Sequence, residues 1–175
     1  RESRKSGEQF GYDFMVGDFV SPHGKGKVND LLVTHTYHKK DSWNYSYEIS
    51  IKFSNPYDGL IPFFIEDKIK VSEFKSDYRA PMGGYINEWV LHGKREGAGK
   101  PVLDNKDKNR NYYFRVRTQA DKDGNVESAY YGKIYGEFLS IAHYLNPTSN
   151  DHNFEFVPKH NLLKNLKHAE KVWAP

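Results

Sequence analysis

Histidines, carboxylates and tyrosines are the side chains of this sequence most suited to chemistry. Eight histidines occur, and Thr34-His35-Thr36-Tyr37-His38 sets two of them three positions apart. In a strand, residues three apart point to opposite faces, so His35 and His38 do not share an ion there. The expected arrangement is a partly buried His35 and a solvated His38. No His-Glu-x-x-His motif is present. Asp121-Lys122-Asp123-Gly124-Asn125 begins like a calcium loop, but the twelfth position, where such a loop needs a bidentate Glu, is Gly132. It reads instead as a hairpin turn. Asp107, Asn109 and Asn111 alternate as oxygen ligands do, within what reads as an ordinary polar loop. Ser21-Pro22-His23-Gly24-Lys25-Gly26-Lys27 lacks the spacing of a phosphate-binding loop and reads as a turn.

Nucleophilic catalysis finds little support. There is no cysteine, which removes thiol nucleophiles, disulfides, zinc ribbons and iron–sulfur centres together. No Gly-x-Ser-x-Gly elbow occurs. Glu66, Asp67, Glu73, Asp77 and Glu88 are available carboxylates, and a carboxylate hydrolase stands as an alternative. Spacing cannot pair them at the ~5 Å or ~6.5–9.5 Å of a glycosidase. The chain is therefore read as non-enzymatic, with no cofactor and no metal.

Tyrosine is the remaining signal. Tyr113, Arg115, Tyr131 and Tyr135 fall on the polar face of a long hairpin over 111–138, with Arg117 and Lys133 beside them. A flat tyrosine row flanked by hydrogen-bonding groups stacks on sugar rings or on a protein partner. These four are the candidate ligand-binding residues. The competing reading is that a second sheet or the tail covers that face.

The elements that position them follow from period-two alternation. Trp43 to Phe53 places Trp43, Tyr45, Tyr47, Ile49, Ile51 and Phe53 on one face, and Asn44, Ser46, Glu48, Ser50 and Lys52 on the other. One wet and one buried face indicates antiparallel sheet. Leu31–His38 precedes it, and Lys39-Lys40-Asp41-Ser42 makes the turn. In the second hairpin, Ala120 opposite Val126 sets Phe114 against Gly132 and Val116 against Tyr130. Arg115 and Arg117 then lie near Tyr131 and Glu127 as cross-strand partners. Tyr12–Val20, Lys68–Phe74 and Tyr85–His92 are further strand candidates. Leu60–Glu66 carries Pro62, which demotes it to an edge or a bulge. The expected fold is an antiparallel β-sandwich, immunoglobulin-like, with about seven or eight strands.

Composition agrees. The chain has 175 residues, 15% aromatic content and a mean hydropathy of −0.84. Its length fits one domain. The formal charge is +3, with the cations spread along the chain, which argues against nucleic acid as a partner. No apolar run reaches the ~20 residues of a bilayer-spanning helix. Residues 1–11 read as a polar tether, 12–145 as the sandwich and 146–175 as a tail packing on it. Phe154 and Phe156 look packed, and Leu162, Leu163, Leu166 and Ala169, with Asn161 as N-cap, have the spacing of a short C-terminal helix.

Tyr112-Tyr113-Phe114-Arg115-Val116-Arg117-Thr118, the Asp-Gly-Asn turn and Tyr131-Gly132-Lys133-Ile134-Tyr135-Gly136 carry a resemblance. Asn146-Pro147-Thr148, Asn150-Asp151, Asn153, Glu155-Phe156 and Pro158-Lys159 extend it. Over its last third the chain resembles uncharacterised envelope lipoproteins of Gram-negative gut bacteria. That resemblance implies an extracytoplasmic place in the cell envelope and a lipidated cysteine upstream of Arg1, so that membrane contact is through a lipid anchor alone. It supplies no catalytic residues. The functional expectation is a non-catalytic domain binding a glycan or an envelope protein, or else an accessory protein–protein interaction subunit.

Overall fold

The computed structural model describes residues 6–64, 79–138 and 141–154. Ten strands lie within them: β1 Gln9–Asp13, β2 Asp18–Phe19, β3 Leu31–Lys39, β4 Asn44–Phe53, β5 Gly59–Phe64, β6 Glu88–Glu96, β7 Leu103–Asp104, β8 Arg110–Ala120, β9 Val126–Tyr135 and β10 Ala142–Leu145. They form a six-stranded sheet, β2-β1-β3-β4-β6-β7, and a four-stranded sheet, β10-β9-β8-β5. All ladders between these strands are antiparallel. This is the mostly-β sandwich the alternation predicts. Six strands against four is a different division from the four-plus-three of an immunoglobulin constant domain.

Several boundaries move. The tether expected over 1–11 gives way to β1 at Gln9, and Phe10 is buried within it. Tyr12–Val20 is a hairpin rather than one strand, because Asp13 turns the chain by accepting the N–H groups of Met15 and Val16. Pro62 lies on β5, at the edge of its sheet, where a missing donor costs no ladder bond. The strand expected at 68–74 and the helix at 161–169 lie outside the described residues, as does Phe156.

The core lies between the sheets. Leu31, Val33, Ile49, Ile51, Phe53 and Leu91 face Leu60, Tyr112, Phe114, Val116, Ile134 and Leu145 across it. Phe14 stacks on Phe114 with ring centroids 4.1 Å apart. His143 is buried among these rings, its Nε2 3.0 Å from the Phe14 carbonyl oxygen and its Nδ1 3.4 Å from the Tyr12 hydroxyl.

The β8–β9 hairpin has the register read from its sequence: Ala120 opposite Val126, Phe114 opposite Gly132, Val116 opposite Tyr130. Gly132 is required there. A Cβ at this position would overlap the Phe114 ring and the Tyr144 carbonyl. At the turn, Asp121 Oδ1 accepts the N–H groups of Asp123 and Asn125, and Gly124 takes a φ of 84°.

Simple alternation breaks at one point of this hairpin. The register slips between Val116 and Gln119 and is restored by Ala120, with Arg117 at a φ of 54°. A bulge of this kind re-aims a side chain. Arg117 therefore does not lie beside Glu127 on the outer face. It reaches the six-stranded sheet, where its Nη2 is 2.7 Å from Asp13 and its Nε 2.9 Å from Asp30.

Candidate functional site

The four tyrosine-face residues are brought together on the outer side of the four-stranded sheet, but they do not form an open surface. Tyr113 is 5% exposed and Tyr131 2%. Segments 79–85 and 152–154 lie over them as a third layer, joined by the Arg79–Asn153 bridge and the Ala80 N–H to His152 carbonyl bond. Tyr113 stacks between Phe63, at 4.2 Å, and Phe154, at 5.6 Å. Tyr131 packs on His152 at 3.9 Å. Arg115 lies over the Tyr85 ring and donates to the Tyr57 carbonyl. Burial pushes the Tyr85 and Tyr131 hydroxyls above their ordinary values, with Arg115 opposing in both cases. Tyr135 is half-buried. The tyrosine row is thus a small second core. Its stacking partners come from β5, from the chain's own tail and from 79–85, so Tyr113 and Tyr131 offer no free ring face to a sugar.

Two ionic clusters use most of the remaining buried charge. At the bulge, Arg117 meets Asp13 and Asp30, each with a side chain only 2% exposed. Asp13 also accepts four backbone N–H groups, from Met15, Val16, Lys27 and Val28. Asp58 accepts those of Arg117 and Thr118 and so holds the bulge itself. Burial keeps the Asp30 and Asp58 carboxyls above the usual carboxylate range, although the bonds from Arg117 to Asp30 pull the other way. The second cluster joins Arg110 to Glu137, which also accepts from the Tyr112 hydroxyl at 2.6 Å. The Tyr112 hydroxyl is driven far up by burial and by that carboxylate. In both clusters the carboxylate oxygens accept from donors that fix the local backbone.

The loop residues with oxygen-ligand spacing are similarly engaged. Asp107 Oδ1 accepts the Asn109 N–H, and Asn111 Oδ1 accepts the Gly136 N–H. Among the described residues no three His, Asp or Glu side chains converge as metal ligands would.

A solvent-facing aromatic site lies elsewhere, at one end of the six-stranded sheet. The β3–β4–β6 ladder is continuous, with no register shift. Its core-facing rows run Val33–Ile51–Trp89, then His35–Ile49–Leu91, then Tyr37–Tyr47–Gly93, then Lys39–Tyr45–Arg95. Ile49 and Leu91 are buried, whereas Tyr37 is 39% exposed. Burial falls off between those rows, although Tyr47 still packs against the core, and the strands run on for about 13 Å, four residues at ~3.3 Å each. His35 is exposed, not partly buried, although Ile49 and Leu91 on its row are buried. His38, on the opposite face, is solvated.

Side chains on this overhang are held in place. Tyr37 and Tyr45 lie 6.1 Å apart, centroid to centroid. Trp43, 47% exposed, sits at the hairpin tip; its N–H donates to Asp41 and its carbonyl accepts from Gly97. The Trp43 and Asn44 donors hold the Asp41 carboxyl below its ordinary value. The Arg95 guanidinium lies 4.5 Å from the Trp43 ring centroid. Tyr47 lies flat over Gly93, where a Cβ would overlap its ring, and donates to Asp104 at 3.2 Å. Lys106 covers that ring at 4.4 Å. A groove of about 570 Å³ opens alongside, between Tyr37–Lys40, Asn44–Ser46 and Lys94–Glu96.

Sequence alone does not single out Tyr37, Trp43, Tyr45 and Arg95. Trp43 and Tyr45 continue the core alternation of β4, so pattern assigns them to the interior. The available signal is the crowding of Lys39 and Lys40 next to the aromatic end of β4. Comparison with protein-family models, curated proteins and solved structures finds no match in any of the three.

Proposed function

We propose that this domain is a non-catalytic module that binds a glycan at the overhanging end of its six-stranded sheet. One observation carries the reading. Tyr37 and Trp43 are exposed and Tyr45 is half-buried, at the end of the face whose next rows, at Ile49 and Ile51, are hydrophobic core. An exposed aromatic patch rimmed by polar groups marks a binding surface. Rigid rings with a wet edge bind sugars well, since the apolar ring face meets C–H groups while neighbouring side chains meet hydroxyls. Asp41, Gly97 and Gly93 preorganise the rings, which lowers the ordering cost of binding. The occupied carboxylates of the two buried clusters favour binding over hydrolysis. Placement in a bacterial cell envelope, with a lipid anchor upstream of Arg1, belongs to the same proposal and rests on the resemblance of the last third of the chain.

The test is a glycan array followed by titration calorimetry. Binding by the wild type, lost in Tyr37→Ala and Trp43→Ala but retained in Tyr131→Phe, supports the reading. A negative result across plant, host and bacterial polysaccharides overturns it. So does binding that survives both substitutions at the overhang.

A further inference from the structure

We infer that the ligand is an acidic glycan, a sugar chain carrying carboxylate or sulfate groups at intervals. This rests on the glycan-binding reading above and goes further by naming the charge of the sugar. Lys39, Lys40, Lys94 and Arg95 line the groove, Lys39 and Arg95 on the face of the aromatic rings and Lys94 on the opposite one beside Ser46, against a single carboxylate, Glu96. Lys94 pairs with Glu96 at 2.6 Å, which cancels that carboxylate within the protein. Among the described residues, Lys39, Lys40 and Arg95 remain, with the Asp41 carboxylate beside Lys39 offsetting one of them. Arg95 is the most informative of the three. Its guanidinium lies over the Trp43 ring, 4.5 Å from the centroid, which orients it. A stacked, oriented guanidinium is suited to bidentate contact with a carboxylate or sulfate.

Sparse charge on the ligand is also indicated. Asp104 stands at the same end, accepting from Tyr47. Carboxylates accept from sugar hydroxyls but repel closely spaced phosphates. An anionic group every sugar or two, separated by hydroxyl-bearing rings, fits this mixture better than a polyphosphate backbone does. The 570 Å³ groove holds a short oligosaccharide segment.

The probes are polygalacturonate and chondroitin sulfate oligosaccharides, with a neutral β-glucan and a single-stranded oligonucleotide for comparison. Calorimetry is run at low and at high NaCl concentration on the wild type, Arg95→Gln and Lys39→Gln, each first checked for an unchanged urea midpoint. The expected result is binding of an acidic probe that weakens with salt, and a loss of about tenfold or more in Arg95→Gln, the size of one charged hydrogen bond. Arg95→Lys, which keeps the charge but not the fork, recovers part of it. Equal binding of the neutral glucan, or insensitivity to Arg95→Gln, overturns the acidic-ligand inference while leaving the glycan reading intact. Tighter binding of the oligonucleotide than of either acidic glycan overturns the inference as well. Binding of none of the carbohydrates removes the glycan reading itself.

Discussion

Replacing Arg117 by Ala removes the cation that two buried carboxylates share. Three hydrogen bonds are lost: Nε to Asp30 Oδ1, Nη2 to Asp30 Oδ2 and Nη2 to Asp13 Oδ1. Breaking one side of a buried ion pair costs about 3–5 kcal/mol, mostly as the penalty of the charge left behind. Asp13 keeps four backbone donors, and the Arg117 side chain is 30% exposed, so the lower end, about 3 kcal/mol, applies. Arg117→Gly makes the same deletion but suits the positive φ of this residue, and should be less destabilised than Arg117→Ala by about 1 kcal/mol. The effect also depends on pH. Burial holds the folded Asp30 carboxyl above its ordinary value of 3.8, despite Arg117. A carboxyl raised in the folded state is no burden below its unfolded value and becomes one as pH rises through its folded value. Removing Arg117 lifts that folded value further. The deficit of the variant is therefore larger near neutral pH than in mild acid, and each tenfold weakening of the Asp30 acidity adds about 1.4 kcal/mol to the difference. Urea unfolding followed by circular dichroism, at neutral pH and in mild acid, measures this. A deficit below about 1 kcal/mol at neutral pH, or one that does not change with pH, refutes the reasoning, since partnered buried carboxylates are its whole basis.

Other outcomes follow from the same geometry. Gly132→Ala forces a methyl into the Phe114 ring and the Tyr144 carbonyl, and should cost about 1–3 kcal/mol, or ~2–4 °C in Tm for each kcal/mol. Gly83→Ala, with nothing within 4 Å of the new carbon, should leave Tm unchanged within error in the same scan. Glu137→Gln leaves Arg110 buried without its counter-ion and should cost about 3–5 kcal/mol by urea unfolding. Lys52→Ala breaks the exposed pair with Glu88 and should cost no more than about 0.5 kcal/mol.

The hairpin register is legible in the sequence because a phenylalanine needs a glycine opposite it, and both residues lie within one local segment. The edge position of β5 is legible from Pro62. The turn of Arg117 is not, because a positive φ at a non-glycine residue leaves no mark in the residue type. The covering of Tyr113 and Tyr131 is one of two readings the sequence allows, and nothing local decides between them. It depends on Ala80, His152 and Phe154, brought in from distant parts of the chain by contacts with no local pattern. The overhang is hidden by the strength of the signal that reveals β4. Tyr45 and Tyr47 obey the alternation that buries Ile49 and Ile51, and alternation does not record where burial falls off. The third-layer burial and the overhang together move the candidate site from the four-stranded sheet to the six-stranded one.

Chemical-shift mapping tests that relocation most directly. A nitrogen-15-labelled sample, its indole and backbone signals assigned, is titrated with polygalacturonate oligosaccharides. The largest shifts are expected at Trp43, with Tyr37, Tyr45 and Arg95 following, and none at Tyr113 or Tyr131. Saturable shifts centred on Tyr113, Tyr131 and His152, with Trp43 unmoved, would contradict it.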